Sequence, residues 1–128
     1  MPKLFHAHSL GLLESAGFEI SVDDFGSGYA NLSLLGIINA SSIKIDRELL
    51  LHCNTDKGKM VFTSSCSTFK EMGFHIISEG VETPEQLQFV KECGADVVQG
   101  YYYSKALSLD SAIKYLPTSD EDVSNKKI

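Results

Sequence analysis

Two adjacent aspartates, Asp23 and Asp24, follow a short apolar run and precede a glycine-containing turn that starts at Gly26. Neighbouring side chains of a regular β-strand point to opposite faces, so a bend at Gly26 is needed to bring both carboxylates to one side. Hard divalent cations such as Mg²⁺ and Mn²⁺ prefer oxygen ligands held in this way. The pair therefore indicates a metal site, and a solvated loop at a strand end is the alternative interpretation.

Three further apolar runs also end in polar side chains. The first contains Lys44 and ends at Asp46, the second ends at Glu79 with Glu82 close behind, and the third ends near Gln99. Each side chain alone has an ordinary explanation, such as capping a helix, reaching solvent or bonding a neighbouring loop. Four consecutive strands with polar groups at the same end instead predict one shared site. Two Asp, a Lys and a Glu are suited to metal-assisted hydrolysis of a phosphodiester.

Four strand-then-helix repeats must position these side chains. Ile- and Val-rich runs that are each followed by a helical pattern are typical of a parallel sheet. In the longest predicted helix, Met60, Val61, Ser64 and Phe69 are expected to share the buried stripe. Strands are predicted at residues 18–23, 42–46, 74–79 and 96–100, and helices at residues 10–15, 55–72, 84–93 and 109–116.

Four βα units can form a small open sheet or half of an eight-stranded barrel. In the second strand, Ile43 and Ile45 share one face, so Lys44 and Asp46 share the other. Both faces of a parallel sheet are normally apolar and covered by helices, whereas polar groups at the strand ends are typical of a barrel mouth. The pattern therefore favours an α/β fold that is half of a (β/α)₈ barrel.

The length of 128 residues and the net charge of −6 limit the possible functions. The length fits one domain, predicted at residues 1–116, followed by a polar tail at 117–128 that is expected to be disordered. The acidic charge, with a basic doublet only at Lys126-Lys127, argues against DNA or RNA as a partner. No apolar run approaches the roughly 20 residues that span a bilayer, and residues 1–6 lack a signal peptide's apolar stretch. A cytoplasmic location is expected, although a longer parent chain could be anchored in a membrane.

The three cysteines, Cys53, Cys66 and Cys93, are widely spaced and form no Cys-x-x-Cys pair. Buried, reduced thiols are therefore expected, with a metal or redox role as the weaker alternative.

Four segments of the chain together resemble the EAL-type cyclic di-GMP phosphodiesterases. The matching order and spacing run from about Leu10 to Leu107 and correspond to the last four βα units of that family's barrel. The segments are Asp23-Asp24-Phe25-Gly26-Ser27-Gly28-Tyr29-Ala30-Asn31-Leu32, Lys44-Ile45-Asp46-Arg47, Glu79-Gly80-Val81-Glu82-Thr83 and Gln99-Gly100-Tyr101.

The resemblance implies catalytic roles for four side chains. Asp23 is similar to the carboxylate that bridges two divalent metals, Mg²⁺ or Mn²⁺, and Asp24 is similar to a ligand of the second metal. Lys44 resembles the lysine that holds and polarises the attacking water. Glu79 resembles the glutamate that orients or deprotonates that water.

The same resemblance implies binding and assembly roles. Gln99 is similar to a contact to a guanine edge of cyclic di-GMP, and Glu82 resembles the residue that ties down the loop after the first strand. That loop, residues 25–31, matches the segment that couples metal binding to dimerisation in the family.

The family's Glu-Ala-Leu motif and the metal ligands of the two strands that follow it are absent from these 128 residues. The chain alone is therefore expected to hydrolyse cyclic di-GMP negligibly. A half barrel also exposes two sheet edges and an apolar interior, which predicts a homo-oligomer or pairing with the missing N-terminal half. Three hypotheses follow: a piece of a phosphodiesterase, an inactive cyclic di-GMP-binding module, or an open-sheet interaction domain unrelated to nucleotides.

Overall fold

The computed structural model describes residues 2–27 and 32–116, so the predicted tail at 117–128 and part of the predicted dimerisation loop, residues 28–31, lie outside it. Helices and strands alternate along the described chain. The helices are α1 (Pro2–Ser15), α2 (Leu32–Leu35), α3 (Arg47–Leu51), α4 (Asp56–Glu71), α5 (Pro84–Glu92) and α6 (Leu109–Tyr115), with a 3₁₀ turn at His52–Asn54, and the strands are β1 (Ser21–Phe25), β2 (Ser42–Ile45), β3 (His75–Glu79) and β4 (Val97–Gln99). Among residues 2–27 and 32–116, no helix combines the length and the apolar character needed to cross a membrane.

The four strands form one parallel sheet in the order β1-β2-β3-β4. Parallel neighbours need a crossover connection, which the intervening helices supply. Every strand therefore points the same way, and the carboxyl ends of all four strands meet at one edge of the sheet. The predicted parallel α/β architecture is confirmed.

All four strands differ from their predicted bounds, and β1 differs most. β1 begins at Ser21 and ends at Phe25, whereas residues 18–23 were expected. Phe18 is 62% exposed and lies outside the strand. The two aspartates are consequently part of β1, and Phe25 closes it as a buried anchor.

The helices pack on one face of the sheet, and the buried stripe of α4 differs from the predicted one. Met60 and Val61 are 69% and 53% exposed, whereas Phe62, Cys66 and Phe69 are buried. These three residues recur at the i, i+4, i+7 spacing of one helix face. The buried apolar residues are Phe25, Leu35, Ile43, Ile45, Leu50, Phe62, Cys66, Phe69, Phe74, Ile76, Val81, Val90 and Ala95.

The opposite face of the sheet is open. In β2, Ile43 and Ile45 are fully buried against the helices, whereas Lys44 between them is only partly covered. In β3, Ile76 is buried on the helical side, and Ile77 on the other side is partly exposed. Parallel sheets are normally covered on both faces. Within the described ranges, this sheet therefore has one face that helices cover and one that they leave open.

The start of α5 follows its sequence signal. The hydroxyl of Thr83 accepts a hydrogen bond from the backbone N–H of Gln86 at 3.2 Å, and the Gln86 side chain accepts one from the backbone N–H of Thr83 at 3.2 Å. Pro84 occupies the first turn, where its missing N–H is not needed. This capping box fixes the short connection between β3 and α5 that carries Glu82.

The cysteines form no disulfide bond. Burial raises the pKa of the Cys66 thiol to about 12 and that of Cys53 to about 11, and it also raises the pKa of Cys93. All three thiols are therefore protonated at neutral pH, which makes them poor nucleophiles and poor metal ligands. Cys66 is buried as expected, whereas Cys53 and Cys93 are only partly buried.

Asp96 secures the amino end of the sheet. Its carboxylate accepts hydrogen bonds from the Lys70 ammonium and, at 2.8 Å, from the backbone N–H of Ile76, and His75 Nδ1 lies 3.7 Å away. Burial raises the pKa of Asp96, but the hydrogen bonds from Lys70 and Ile76 outweigh burial and lower it below the ordinary 3.8. The carboxylate thus joins α4, β3 and the start of β4.

Replacing Asp96 with alanine should lower the free energy of unfolding by about 2 kcal/mol, because a charged acceptor is lost and the Ile76 N–H loses its partner. A lowered pKa adds stability that is present above the unfolded-state pKa and lost as the pH falls through the folded-state pKa. The difference between the parent and Asp96→Ala should therefore hold at pH 7 and shrink below about pH 4. Urea unfolding at several pH values measures this difference in the free energy of unfolding. The control is Glu71→Gln, which replaces an exposed carboxylate of α4 and should change the free energy of unfolding little at any pH.

Candidate metal centre

A β-bulge places Asp23 and Asp24 on the same side of β1. Val22 pairs with Ile43 and Phe25 with Ile45, so three steps along β1 match two along β2. The extra residue is accommodated at Asp24, which has a φ of 57°. Aspartate is among the few residues other than glycine that adopt this left-handed conformation readily.

Anchors on both sides of the bulge hold it in place. Val22 packs against the core before it, and after it the Phe25 ring meets the Phe69 ring edge-on at a centroid distance of 4.8 Å. Ser27 donates hydrogen bonds to the backbone carbonyl of Asp24, from its N–H at 3.1 Å and from its hydroxyl at 2.8 Å. The sequence predicted that the turn at Gly26 would align the two carboxylates, but the bend occurs earlier, within the strand.

The carboxylates of Asp23, Asp24 and Glu79 converge beyond the carboxyl ends of the strands. One oxygen from each lies within 4.8 Å of the others. The Lys44 ammonium, on the strand between them, lies 4.0 Å from Asp23 Oδ1 and 3.9 Å from Glu79 Oε2. The structure thus brings together four residues that the sequence predicted to share a site.

Three carboxylates in so small a space repel one another unless positive charge is present. Lys44 compensates part of this charge, and its ammonium, 3.9 Å from Glu79 Oε2, is placed to donate a hydrogen bond to a water bound by Glu79. Oxygen ligands from flexible carboxylates suit a hard divalent cation. The donor set of Asp23, Asp24 and Glu79 therefore fits Mg²⁺ or Mn²⁺, with room for further oxygen ligands because Asp23 and Asp24 are exposed.

Gln99 lies beside this cluster. It pairs in register with Glu79, and its backbone carbonyl accepts hydrogen bonds from the N–H groups of Gly80 at 2.8 Å and Val81 at 3.3 Å. At Gly100, a Cβ atom would lie 2.1 Å from the carbonyl oxygen of Val81. Glycine is therefore required at position 100 for β4 to lie close to the connection after β3.

Arg47 is the functional candidate to which sequence analysis gave no role. Its guanidinium Nη2 lies 3.1 Å from Glu82 Oε1. The aliphatic part of the Arg47 side chain packs across Gly80, where a Cβ atom would lie 2.3 Å from Arg47 Cγ. Gly80 also has a φ of 79°, which favours glycine. The ion pair and the glycine together hold the connection that follows Glu79. Position 47 stands in the segment Lys44-Ile45-Asp46-Arg47, but the sequence gives no sign that its side chain reaches another strand's loop.

Two other polar residues have structural contacts. Asp46 caps α3, because its carboxylate accepts a hydrogen bond from the N–H of Glu48 at 2.9 Å, and it stands outside the carboxylate cluster. Glu82 pairs with Arg47, and its predicted contact with the loop after β1 falls partly on residues 28–31, outside the described residues.

The sequence profile of the EAL domain family matches residues 4–106. The chain is 31% identical over 105 residues to the cyclic di-GMP phosphodiesterase NbdA of Pseudomonas aeruginosa, an alignment that covers 81% of this chain and 13% of NbdA. This chain is therefore much shorter than the relative that it matches.

Solved structures of EAL proteins share the fold. The EAL enzyme Bd1971, in its form bound to cAMP and cyclic di-GMP, superimposes with a TM-score of 0.82 at 32% identity, covering 87% of this chain and 30% of that one. The manganese and cyclic di-GMP complex of Klebsiella pneumoniae BlrP1 superimposes with a TM-score of 0.70 at 31% identity, covering 77% of this chain and 25% of BlrP1. The small share of each neighbour agrees with part of a TIM-like barrel. The chain therefore belongs to the EAL domain family.

Proposed function

We propose that this chain is the C-terminal part of a metal-dependent phosphodiesterase that hydrolyses cyclic di-GMP to the linear dinucleotide in the cytoplasm. The observation that carries the proposal is the convergence of Asp23, Asp24 and Glu79 around Lys44 at the carboxyl ends of the strands. That end of a parallel barrel is where (β/α)₈ enzymes place their chemistry. The cyclic di-GMP complexes of structural neighbours support the choice of substrate.

The residues have distinct roles in this proposal. Asp23, Asp24 and Glu79 hold Mg²⁺ or Mn²⁺, which when bound supplies positive charge for the phosphate and acidifies water. Lys44 orients the attacking water towards Glu79, since its ammonium lies 3.9 Å from Glu79 Oε2. Glu79 accepts the proton that the water loses as it attacks phosphorus. The P–O bond to one ribose breaks in the same displacement, and that ribose oxygen leaves as a hydroxyl after taking up a proton from solvent at the exposed site.

Other residues bind and position. Gln99, next to Glu79 in the sheet, offers an amide that can donate to and accept from a guanine edge. Arg47 and Glu82 act as positioning residues, because their ion pair holds the connection that follows Glu79.

The 128-residue chain should bind Mn²⁺ but form no linear dinucleotide at an enzyme-like rate of about 1 s⁻¹. Three carboxylates are too few to hold two cations firmly, and further ligands are expected from strands that precede β1 in the family's barrel. Incubation with Mn²⁺ and cyclic di-GMP, followed by chromatography, measures the rate. Turnover at about 1 s⁻¹ or faster would contradict the assignment of this chain as an incomplete site.

The second candidate is a cyclic di-GMP-binding module without activity. It is favoured by the retention of Gln99 beside a site with only three carboxylates among the described residues. Completing the barrel with upstream strands distinguishes the two: a phosphodiesterase gains turnover, whereas a binding module gains only affinity. A chain that binds no cyclic di-GMP in either form would exclude both candidates.

A further inference from the structure

A cavity of about 490 Å³, here called the α3–α5 cavity, lies between these two helices. Its volume falls within the range of small-molecule sites, about 300–1,000 Å³. The residues that line it belong to α3, the 3₁₀ turn, α4 and α5, so strands added beside β1 or β4 are not needed to form it. We propose that this cavity binds an uncharged aromatic molecule with one hydrogen-bonding group, and that the bound ligand strengthens Mn²⁺ binding at the carboxylate cluster.

The lining favours an aromatic ligand. Leu50 is buried, Cys53 contributes a protonated thiol, and the ring of Phe89 is partly buried. The Phe89 ring contacts the fully buried Phe62 ring at a centroid distance of 5.4 Å and an interplanar angle of 47°. Aromatic rings associate in edge-to-face and offset arrangements. A planar ligand in the cavity can therefore pack on the part of the Phe89 ring that Phe62 leaves free.

The polar groups of the lining favour a ligand without net charge. Lys59 on α4 and Glu85 on α5 are exposed side chains of opposite sign, and both line the cavity. A cationic ligand would be repelled by Lys59 and an anionic ligand by Glu85. Because burying a charge against apolar groups also costs free energy, a neutral molecule is favoured over either. The side-chain amide of Asn54 can exchange a hydrogen bond with one polar group of such a molecule.

Both walls of the cavity lead to the connection that follows Glu79. One wall, α3, begins at Arg47, whose guanidinium Nη2 lies 3.1 Å from Glu82 Oε1. On the other wall, Gln86 lines the cavity, and its side-chain oxygen accepts a hydrogen bond from the backbone N–H of Glu82 at 2.8 Å. A ligand held between α3 and α5 stabilises the arrangement in which both helices hold Glu82, and with it the position of Glu79. The ligand site is independent of the proposed function, whereas the effect on the metal centre rests on it.

Indole is a suitable probe, because it is a neutral planar molecule with one N–H group. The chain contains no tryptophan, so the fluorescence of indole can be followed directly. A titration should give a saturable change in that fluorescence. Indole-3-acetate and tryptamine carry a negative and a positive charge, and both should bind more weakly than indole. The absence of saturable indole binding, or tighter binding of either charged compound, would overturn the proposed ligand site.

Substitutions test where indole binds. Phe89→Leu removes the ring that packs on the ligand and should weaken indole binding by about fivefold or more. Phe74→Leu is the matched control, because Phe74 is only 5% exposed but lies outside the cavity, and its variant should bind within about twofold of the parent. Leu51→Lys at the cavity and Met60→Lys outside it repeat the comparison at exposed positions if Phe89→Leu does not fold. Equal effects within a pair of folded variants, verified by circular dichroism, would overturn the location.

Titration calorimetry with Mn²⁺, with and without saturating indole, measures the coupling. Indole should strengthen Mn²⁺ binding by about fivefold, and Mn²⁺ should strengthen indole binding by the same factor, because coupling between two sites is reciprocal. Indole binding that leaves the Mn²⁺ affinity unchanged or lowers it would overturn the coupling but not the proposed function. A chain that binds no Mn²⁺ in either condition would contradict the metal centre itself, and with it both the coupling and the proposed function.

Discussion

Asp23→Asn should weaken Mn²⁺ binding to this chain by about tenfold or more, equivalent to about 1.4 kcal/mol. The substitution keeps the size of the side chain but removes one of the three negative charges that converge at the site. The charge of the ligand set is a main determinant of divalent-cation affinity in such sites. Titration calorimetry or Mn²⁺ electron paramagnetic resonance measures the change. Asp110→Asn in α6 removes the same charge from an exposed position and should leave binding unchanged.

The same site predicts a larger effect once the barrel is completed with upstream strands. Lys44→Ala and Glu79→Gln should then lower turnover by about 10²–10⁴, the range for a lost acid–base group, while cyclic di-GMP still binds. Gln99→Ala should instead weaken binding, by about 1–3 kcal/mol. Turnover that survives Glu79→Gln but disappears with Asp110→Asn would show that the active face lies elsewhere.

Phe62→Ala should lower the free energy of unfolding by about 3–5 kcal/mol, a large part of the stability of a small domain. The Phe62 side chain is fully buried, and its ring contacts that of Phe89 at a centroid distance of 5.4 Å. Truncation leaves a cavity between α4 and α5 that rigid neighbours fill only in part. Urea unfolding followed by circular dichroism measures the loss, and Phe62→Leu gives a smaller value if the alanine variant does not fold.

The neighbouring residue supplies the control. Val61 is 53% exposed, so Val61→Ala should change the free energy of unfolding by no more than about 0.5 kcal/mol. If Val61→Ala lowered the free energy of unfolding by several kcal/mol and Phe62→Ala left it unchanged, α4 would bury the face that contains Val61, as the sequence predicted, and not the face that contains Phe62.

Local signals in the sequence were sufficient for the four strands and for α1, α4, α5 and α6, but not for the short helices α2 and α3. Gly17 and Gly73 mark helix ends, Thr83-Pro84-Glu85-Gln86 marks a helix start, and the Ile- and Val-rich runs mark the strands. These features depend on neighbours in the chain, which a sequence displays directly. Placing polar residues at the strand ends also sufficed to bring Asp23, Lys44 and Glu79 into one predicted site, because parallel strands share their carboxyl edge.

The features that sequence analysis missed depend on contacts between distant segments. The bulge in β1 exists only in the pairing of that strand with β2, and a single strand read alone alternates regularly. The buried face of α4 is decided by aromatic contacts of Phe62 with Phe89 and of Phe69 with Phe25, which lie on other elements. Arg47 lies one residue beyond a helix cap, and only the fold shows that it crosses Gly80 to reach Glu82.

The bulge in β1 also bears on how such a site could arise. Because Val22 and Phe25 both face the helices, a strand with one aspartate between them would alternate regularly and keep both anchors in place. The second aspartate is thus equivalent to a one-residue insertion in the strand. The bulge accommodates it locally, so the residues before and after it keep their side chains on the same faces of the sheet. Gain or loss of a ligand at this position requires a single codon and leaves the packing of Val22 and Phe25 unchanged.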